Sequence, residues 1–115
     1  MMKFIRLFEN LGIFLFLIFC MTGCSQHPDL SQFNLEKGKE VYNNICIACH
    51  LAGMPSAAPK VGDKTAWSPR IAQGIDVLFN HALHGLNDMP AKGGHEQLSD
   101  AEVQHAVAYM VSHSW

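Results

Sequence analysis

Cys46-Ile47-Ala48-Cys49-His50 places two thiols one helical turn apart and follows them at once with an imidazole. This is the C-x-x-C-H arrangement of covalent haem attachment. Each thiol can add to one of the two vinyl groups on a haem edge, and the adjacent histidine then reaches the iron from one face. Chance would produce the pattern in roughly one in a hundred chains of this composition. Three other uses of the cysteines fit less well. A structural zinc site needs a second ligand pair, and the candidates His81 and His84 lie outside finger spacing. A thioredoxin-like dithiol needs a βαβ context, and no stretch reads as a convincing strand. A Cys46–Cys49 disulfide would close a loop too small to stabilise much.

The rest of the chain suits a small helical shell around that motif. It has 115 residues, enough for one domain, with 49% hydrophobic and 16% charged residues, so it is not a disordered chain. A net charge of −2 offers no basic footprint for nucleic acid. Four cysteines are too few for a disulfide-rich scaffold. Asn34 can cap a helix with apolar positions Leu35, Gly38, Val41, Tyr42 and Ile45. A shorter helical turn starts near Asp63 and passes Trp67 before Pro69 interrupts it. Ile75 to His84 carries Ile75, Leu78, Phe79 and Leu83 on one side and stops at Gly85. Ser99-Asp100-Ala101-Glu102 is a capping box that opens the last helix. Its stripe is Val103, Ala106, Val107 and Met110, with Gln104, His105 and Ala108 on other faces. The expected class is all-α, with three to four helices around one covalently attached haem.

The N-terminus reads as an export signal. Lys3 and Arg6 precede an apolar run from Leu11 to Met21, which suits a signal-peptide h-region and is short for a bilayer span of about 20 residues. Met21-Thr22-Gly23-Cys24 resembles a bacterial lipobox, in which the cysteine is lipidated and becomes the new N-terminus. The alternative is an uncleaved signal anchor. The expected organisation is a signal peptide over 1–23, a lipidated polar tether over 24–33 and a haem domain over 34–115.

Haem iron needs a sixth ligand or an open site. Met89 is the first candidate, because it sits in the Gly/Pro loop Asn87-Asp88-Met89-Pro90, well separated from His50. A thioether there raises the potential. His81, His84 and His95 remain alternatives, whereas His105 and His113 read as surface residues. Met110 reads as core because it lies on a helical stripe, and Met54 follows His50 too closely to reach round.

From Leu35 to Met110 the chain resembles a class I cytochrome c, most nearly the small bacterial c-five subgroup. The matching pieces are Gly38 with Val41-Tyr42, the haem motif, Ala58-Pro59-Lys60-Val61-Gly62-Asp63 and Trp67-Ser68-Pro69-Arg70-Ile71. They continue as Met89-Pro90-Ala91-Lys92-Gly93-Gly94, Leu98-Ser99-Asp100-Ala101-Glu102 and Ala106-Val107-Ala108-Tyr109-Met110. The resemblance implies a small cytochrome c fold in which Gly38 lets the first helix cross the last near Tyr109. It implies that the Pro59 carbonyl accepts the His50 ring N–H, and that Trp67 and Arg70 neighbour the haem propionates. Many c-five proteins carry two more cysteines after the glycine pair. Here His95-Glu96-Gln97 has none, so the loop after Met89 is expected to be less constrained.

With both axial positions filled by protein, one-electron transfer through an exposed haem edge is the function that remains. The expectation is a monomeric electron carrier, not an enzyme, which serves redox proteins of a respiratory chain. It would be lipid-anchored on the periplasmic side of a bacterial membrane. A haem enzyme or gas sensor with a labile sixth ligand, or a fixed subunit of a larger oxidoreductase, are the alternatives. The segments Gly53 to Ala58 and Ala91 to Gly94 are expected around the haem edge, with Lys60 and Lys92 nearby.

Overall fold

The computed structural model describes residues 27–53 and 58–115. The expected signal peptide, Cys24 and Met54 lie outside the described residues, as does the first part of the expected tether. Among the described residues the architecture is helical, with only an isolated bridge between Leu86 and Met89 in place of strands.

Helix α1 (Leu35–Val41) starts where the Asn34 side chain accepts the Lys37 N–H at 2.9 Å. It continues without a break in right-handed helical backbone through a π turn (Tyr42–Cys46) into α2 (Ile47–His50). A π turn holds one residue more than an α turn. It therefore resets which face the following residues present, just where the cysteine motif begins.

Helix α3 (Lys64–Ile71) is capped by Asp63, whose carboxylate accepts the Ala66 N–H at 3.1 Å. The helix runs through Pro69, where the sequence predicted an interruption. Proline deprives only the Thr65 carbonyl of its partner. The next carbonyl, Ala66, gains the Arg70 guanidinium as a donor. Buried Trp67 anchors the helix from inside, its indole N–H donating to the Lys60 carbonyl at 2.9 Å.

Helix α4 (Ile75–His84) lies between Gly74 and Gly85, with the bounds its periodicity predicted. Helix α5 (Asp100–Ser112) opens on the expected capping box, with Ser99 and Glu102 each bonding the other's backbone N–H. It is the centre of the fold. Helix α1 packs on one side of it and α4 on another. Val103, Ala106, Val107 and Met110 are buried as expected, but so is Ala108, at 0% exposure. A helix covered by several neighbours buries more than one stripe.

Where α1 crosses α5, a Cβ on Gly38 would overlap the His105 carbonyl and come within 3.0 Å of the Tyr109 Cβ. Only glycine lets the two backbones approach so closely. The Tyr42 and Tyr109 rings lie beside this crossing at 5.4 Å. Leu30 is buried and Phe33 meets the Phe79 ring edge-on at 5.0 Å, so the packed body begins ahead of Asn34. At the far end, the buried Ser114 hydroxyl donates to the Met110 carbonyl and accepts the Gly62 N–H at 2.9 Å. It thus ties the loop before α3 to the end of α5.

Candidate cofactor site

The helices and the loop after α4 enclose a cavity of about 620 Å³. Cys46, Cys49 and His50 reach it from the π turn and α2, and Met89 reaches it from the loop. Leu78, Ala82 and Val107 supply apolar wall from α4 and α5. Trp67, Arg70 and Pro59 also line it.

Buried His50 is held at two points. Its Nδ1 lies 2.9 Å from the Pro59 carbonyl oxygen, and its own carbonyl accepts the Val61 N–H at 2.9 Å. A carbonyl can only accept, so Nδ1 carries the hydrogen and Nε2 keeps its lone pair. The two thiols differ: Cys49 is exposed, while burial pushes the Cys46 thiol up to about 11. Among the described residues no cluster of three or more His, Cys, Asp or Glu side chains could hold a bare metal ion, and none of the cysteines pairs in a disulfide.

Met89 is set by a tight turn. Leu86 and Met89 exchange main-chain hydrogen bonds at 3.0 and 2.9 Å across Asn87 and Asp88. Asn87 takes a left-handed φ of 52°, which asparagine tolerates better than most residues. Of the alternative histidines, His81 lines the cavity, and His84 and His95 do not. The His84 Nδ1 lies 3.1 Å from the Asn80 carbonyl, and His95 is bonded to Gln97. Met110, read only as core, is both buried and part of the cavity wall. Lys92, expected near the haem edge, bonds the Leu98 carbonyl and Asp100 and is followed by the cavity-lining Gly93.

Two thiols at the required spacing, an imidazole with a free Nε2, a thioether and apolar walls fit a covalently bound haem. A family model described as cytochrome C oxidase, cbb3-type, subunit III matches residues 33–110. The chain belongs to the cytochrome c family. It is 49% identical over 86 residues to cytochrome c-555 of Chlorobaculum tepidum, covering 71% of this chain and 79% of that protein. To cytochrome c5 of Azotobacter vinelandii it is 43% identical over 75 residues, 64% of this chain and 89% of that one. A cytochrome chain from the crystal structure of an electron transfer complex of nitrite reductase with cytochrome c matches with TM-score 0.67 and 39% identity. That match covers 73% of this chain and 100% of the other. The protein is therefore a small class I monohaem cytochrome c, an electron carrier and not an enzyme. Its cofactor is one covalently bound haem c, and Cys46 and Cys49 have the spacing that attaches it.

Proposed function

We propose that this cytochrome carries single electrons between membrane-associated redox proteins on the extracytoplasmic side, and that His50 and Met89 would hold its haem iron. The observation that carries the reading is the cavity that gathers Cys46, Cys49, His50 and Met89 from separate elements. Haem c supplies one-electron exchange between ferrous and ferric iron. Around it, Pro59 orients the His50 ring through Nδ1–H and raises its basicity as a ligand. The Met89 thioether is soft and would favour the ferrous state and raise the potential. Trp67 and Arg70, both at the cavity, would neighbour the haem propionates, and the Arg70 guanidinium would offset their charge.

Electrons would leave where the cavity wall meets the surface. Cys49 lines the cavity and is exposed, as is Leu86, and Leu51 next to His50 is exposed too. Such an apolar rim suits brief docking, with a contact under about 1,200 Å². The nitrite reductase partner of the structural relative supports a redox enzyme as acceptor. The oxidase subunit named by the family model supports a second reading, a fixed subunit of a respiratory complex. Copurification with partners after detergent extraction separates the two.

Absorption spectra test the ligation. The purified protein should be low-spin when oxidised and when reduced, and reduced protein should bind carbon monoxide poorly. Met89→Ala should add high-spin character and lower the potential. An unchanged spectrum in Met89→Ala would remove Met89 from the iron and bring His81 forward. Lipidation at Cys24 holds the carrier at the membrane, since two acyl chains anchor stably where one is marginal. Cys24→Ala in a native host should move the protein to the soluble fraction; retention in the membrane with an intact N-terminus would point to an uncleaved anchor.

A further inference from the structure

We propose that Lys92 is a positioning residue: its ammonium staples the loop that carries Met89 to the start of α5. This rests on the reading of Met89 as an axial ligand. The Lys92 Nζ donates to the Leu98 carbonyl at 2.8 Å and lies 2.8 Å from Asp100 Oδ1. The Lys92 side chain is only 21% exposed although its partner Asp100 is 69% exposed. The lysine therefore folds inward across the base of the loop rather than reaching for solvent.

Three observations set this contact apart from an incidental ion pair. The first is conformational. Lys92 takes φ 52° and ψ 31°, a left-handed backbone that glycine adopts more readily, and Gly93 and Gly94 follow with φ 62° and 83°. A non-glycine residue keeps that backbone where its surroundings over-determine it, and here two side-chain bonds do so. The second is connectivity. The main-chain bonds within this loop are local: Gly93 to Pro90, His95 to Lys92 and Leu98 to His95. Among the described residues, the Lys92–Asp100 ion pair is the only side-chain hydrogen bond or ion pair that joins residues 86–98 to a helix. The third is electrostatic. A cation at the start of a helix opposes the helix dipole, so stabilising α5 does not account for a lysine there.

The staple also completes the mounting of Met89. Upstream, the loop lies close over Gly85, where a Cβ would come within 2.9 Å of the Met89 carbonyl and 3.1 Å of the Ala91 N. Downstream, Lys92 fixes it to Leu98 and Asp100. The ligand lies between the two fixed points, and Gly93, on the same stretch, forms cavity wall near Ile45. The expectation that this loop is less constrained for want of a disulfide is thus replaced by a polar cross-link. Releasing it should let Met89 leave the iron more often without unfolding the helices.

The test compares Lys92→Met and Lys92→Arg with wild-type holoprotein. Carbon monoxide binding to the reduced protein and backbone amide exchange are the two readouts. In Lys92→Met, carbon monoxide should bind about tenfold faster, the size expected for losing a charge-assisted bond at a half-buried position. Amides of residues 91–98 should exchange about tenfold faster while those of α1 keep their protection. Lys92→Arg should stay within about threefold of wild type, since it keeps the charge and the donors. Unchanged carbon monoxide binding in Lys92→Met, even with a lower unfolding midpoint, would reduce Lys92 to a structural residue and overturn the proposal. Should Lys92→Met yield no holoprotein, Asp100→Ala decides: faster binding by about threefold supports the staple, and no change overturns it. Failure of the ligand reading itself shows separately, as an unchanged Met89→Ala spectrum.

Discussion

Gly85 lies directly against the Met89 carbonyl: a Cβ at residue 85 would come within 2.9 Å of that oxygen. Gly85 also has φ 88°, outside the range of ordinary L-residues, and closes α4 by donating its N–H to the His81 carbonyl at 2.8 Å. One residue thus stops a helix and seats the loop behind it. Gly85→Ala should destabilise the holoprotein by about 2–3 kcal/mol, combining left-handed strain with overpacking. Denaturant unfolding measures the loss, and the spectrum should gain high-spin character in parallel. A loss below about 0.5 kcal/mol would mean that the loop simply moves aside.

The α1–α5 crossing should be less forgiving. Gly38→Ala puts a methyl group onto the His105 carbonyl, and neither backbone can withdraw without opening the core. The expected cost is about 3 kcal/mol or more. Thermal unfolding of the purified variant checks it, and a near-wild-type midpoint would show that the helices can slide apart.

Attachment through the cysteine pair predicts a chemical outcome. In Cys46→Ala/Cys49→Ala, acidic organic solvent should extract any haem that the protein retains, whereas wild type should keep its colour on the denatured chain. Covalent haem surviving in the double variant would break the assignment.

Acid should weaken the start of α5. The Ser99 backbone N–H and hydroxyl donate to Glu102 and hold its carboxyl below its ordinary 4.5, and the Lys92 ammonium holds Asp100 below its ordinary 3.8. A folded-state pKa below the unfolded one gives stability that is complete above the unfolded value and is lost as pH falls through the lowered one. Unfolding midpoints should therefore drop as pH falls below about 4.5, and Glu102→Gln should flatten that slope. An identical slope in the variant would assign the acid sensitivity to other carboxylates.

Much of this molecule is legible in its sequence because several signals coincide. In α4, an apolar period is bracketed by glycines, and α5 opens on a reciprocal Ser99–Glu102 cap, so both helices start where they were expected. The π turn at Tyr42–Cys46 leaves no such mark, since an apolar stripe spaced by threes and fours fits either register. Pro69 by itself predicts an end to α3. The side-chain anchors at Trp67 and Arg70 that carry the helix past it depend on tertiary placement. For the site, the cysteine motif, His50 and Met89 stand out by chemistry. Periodicity marks Leu78, Val107 and Met110 as buried but cannot distinguish burial against protein from burial against a cofactor cavity. The inward turn of Lys92 was equally unreadable, since an isolated lysine in a glycine-rich loop suggests solvent.

The crossing of α1 and α5 at Gly38 and Tyr109 also makes the chain a ring closed by a clasp. Every described residue that lines the cavity, up to Val107, lies on the ring, and Met110 sits just past the clasp. Closing a ring costs entropy that grows only with the logarithm of its circumference, about 0.6 kcal/mol per doubling. A few residues inserted between His50 and Pro59, or between Gly94 and Leu98, would barely change what the clasp must overcome. The architecture thus lets the length of these loops vary at little cost to closure, while local contacts such as the Lys92–Asp100 pair set what the loops present to the cavity.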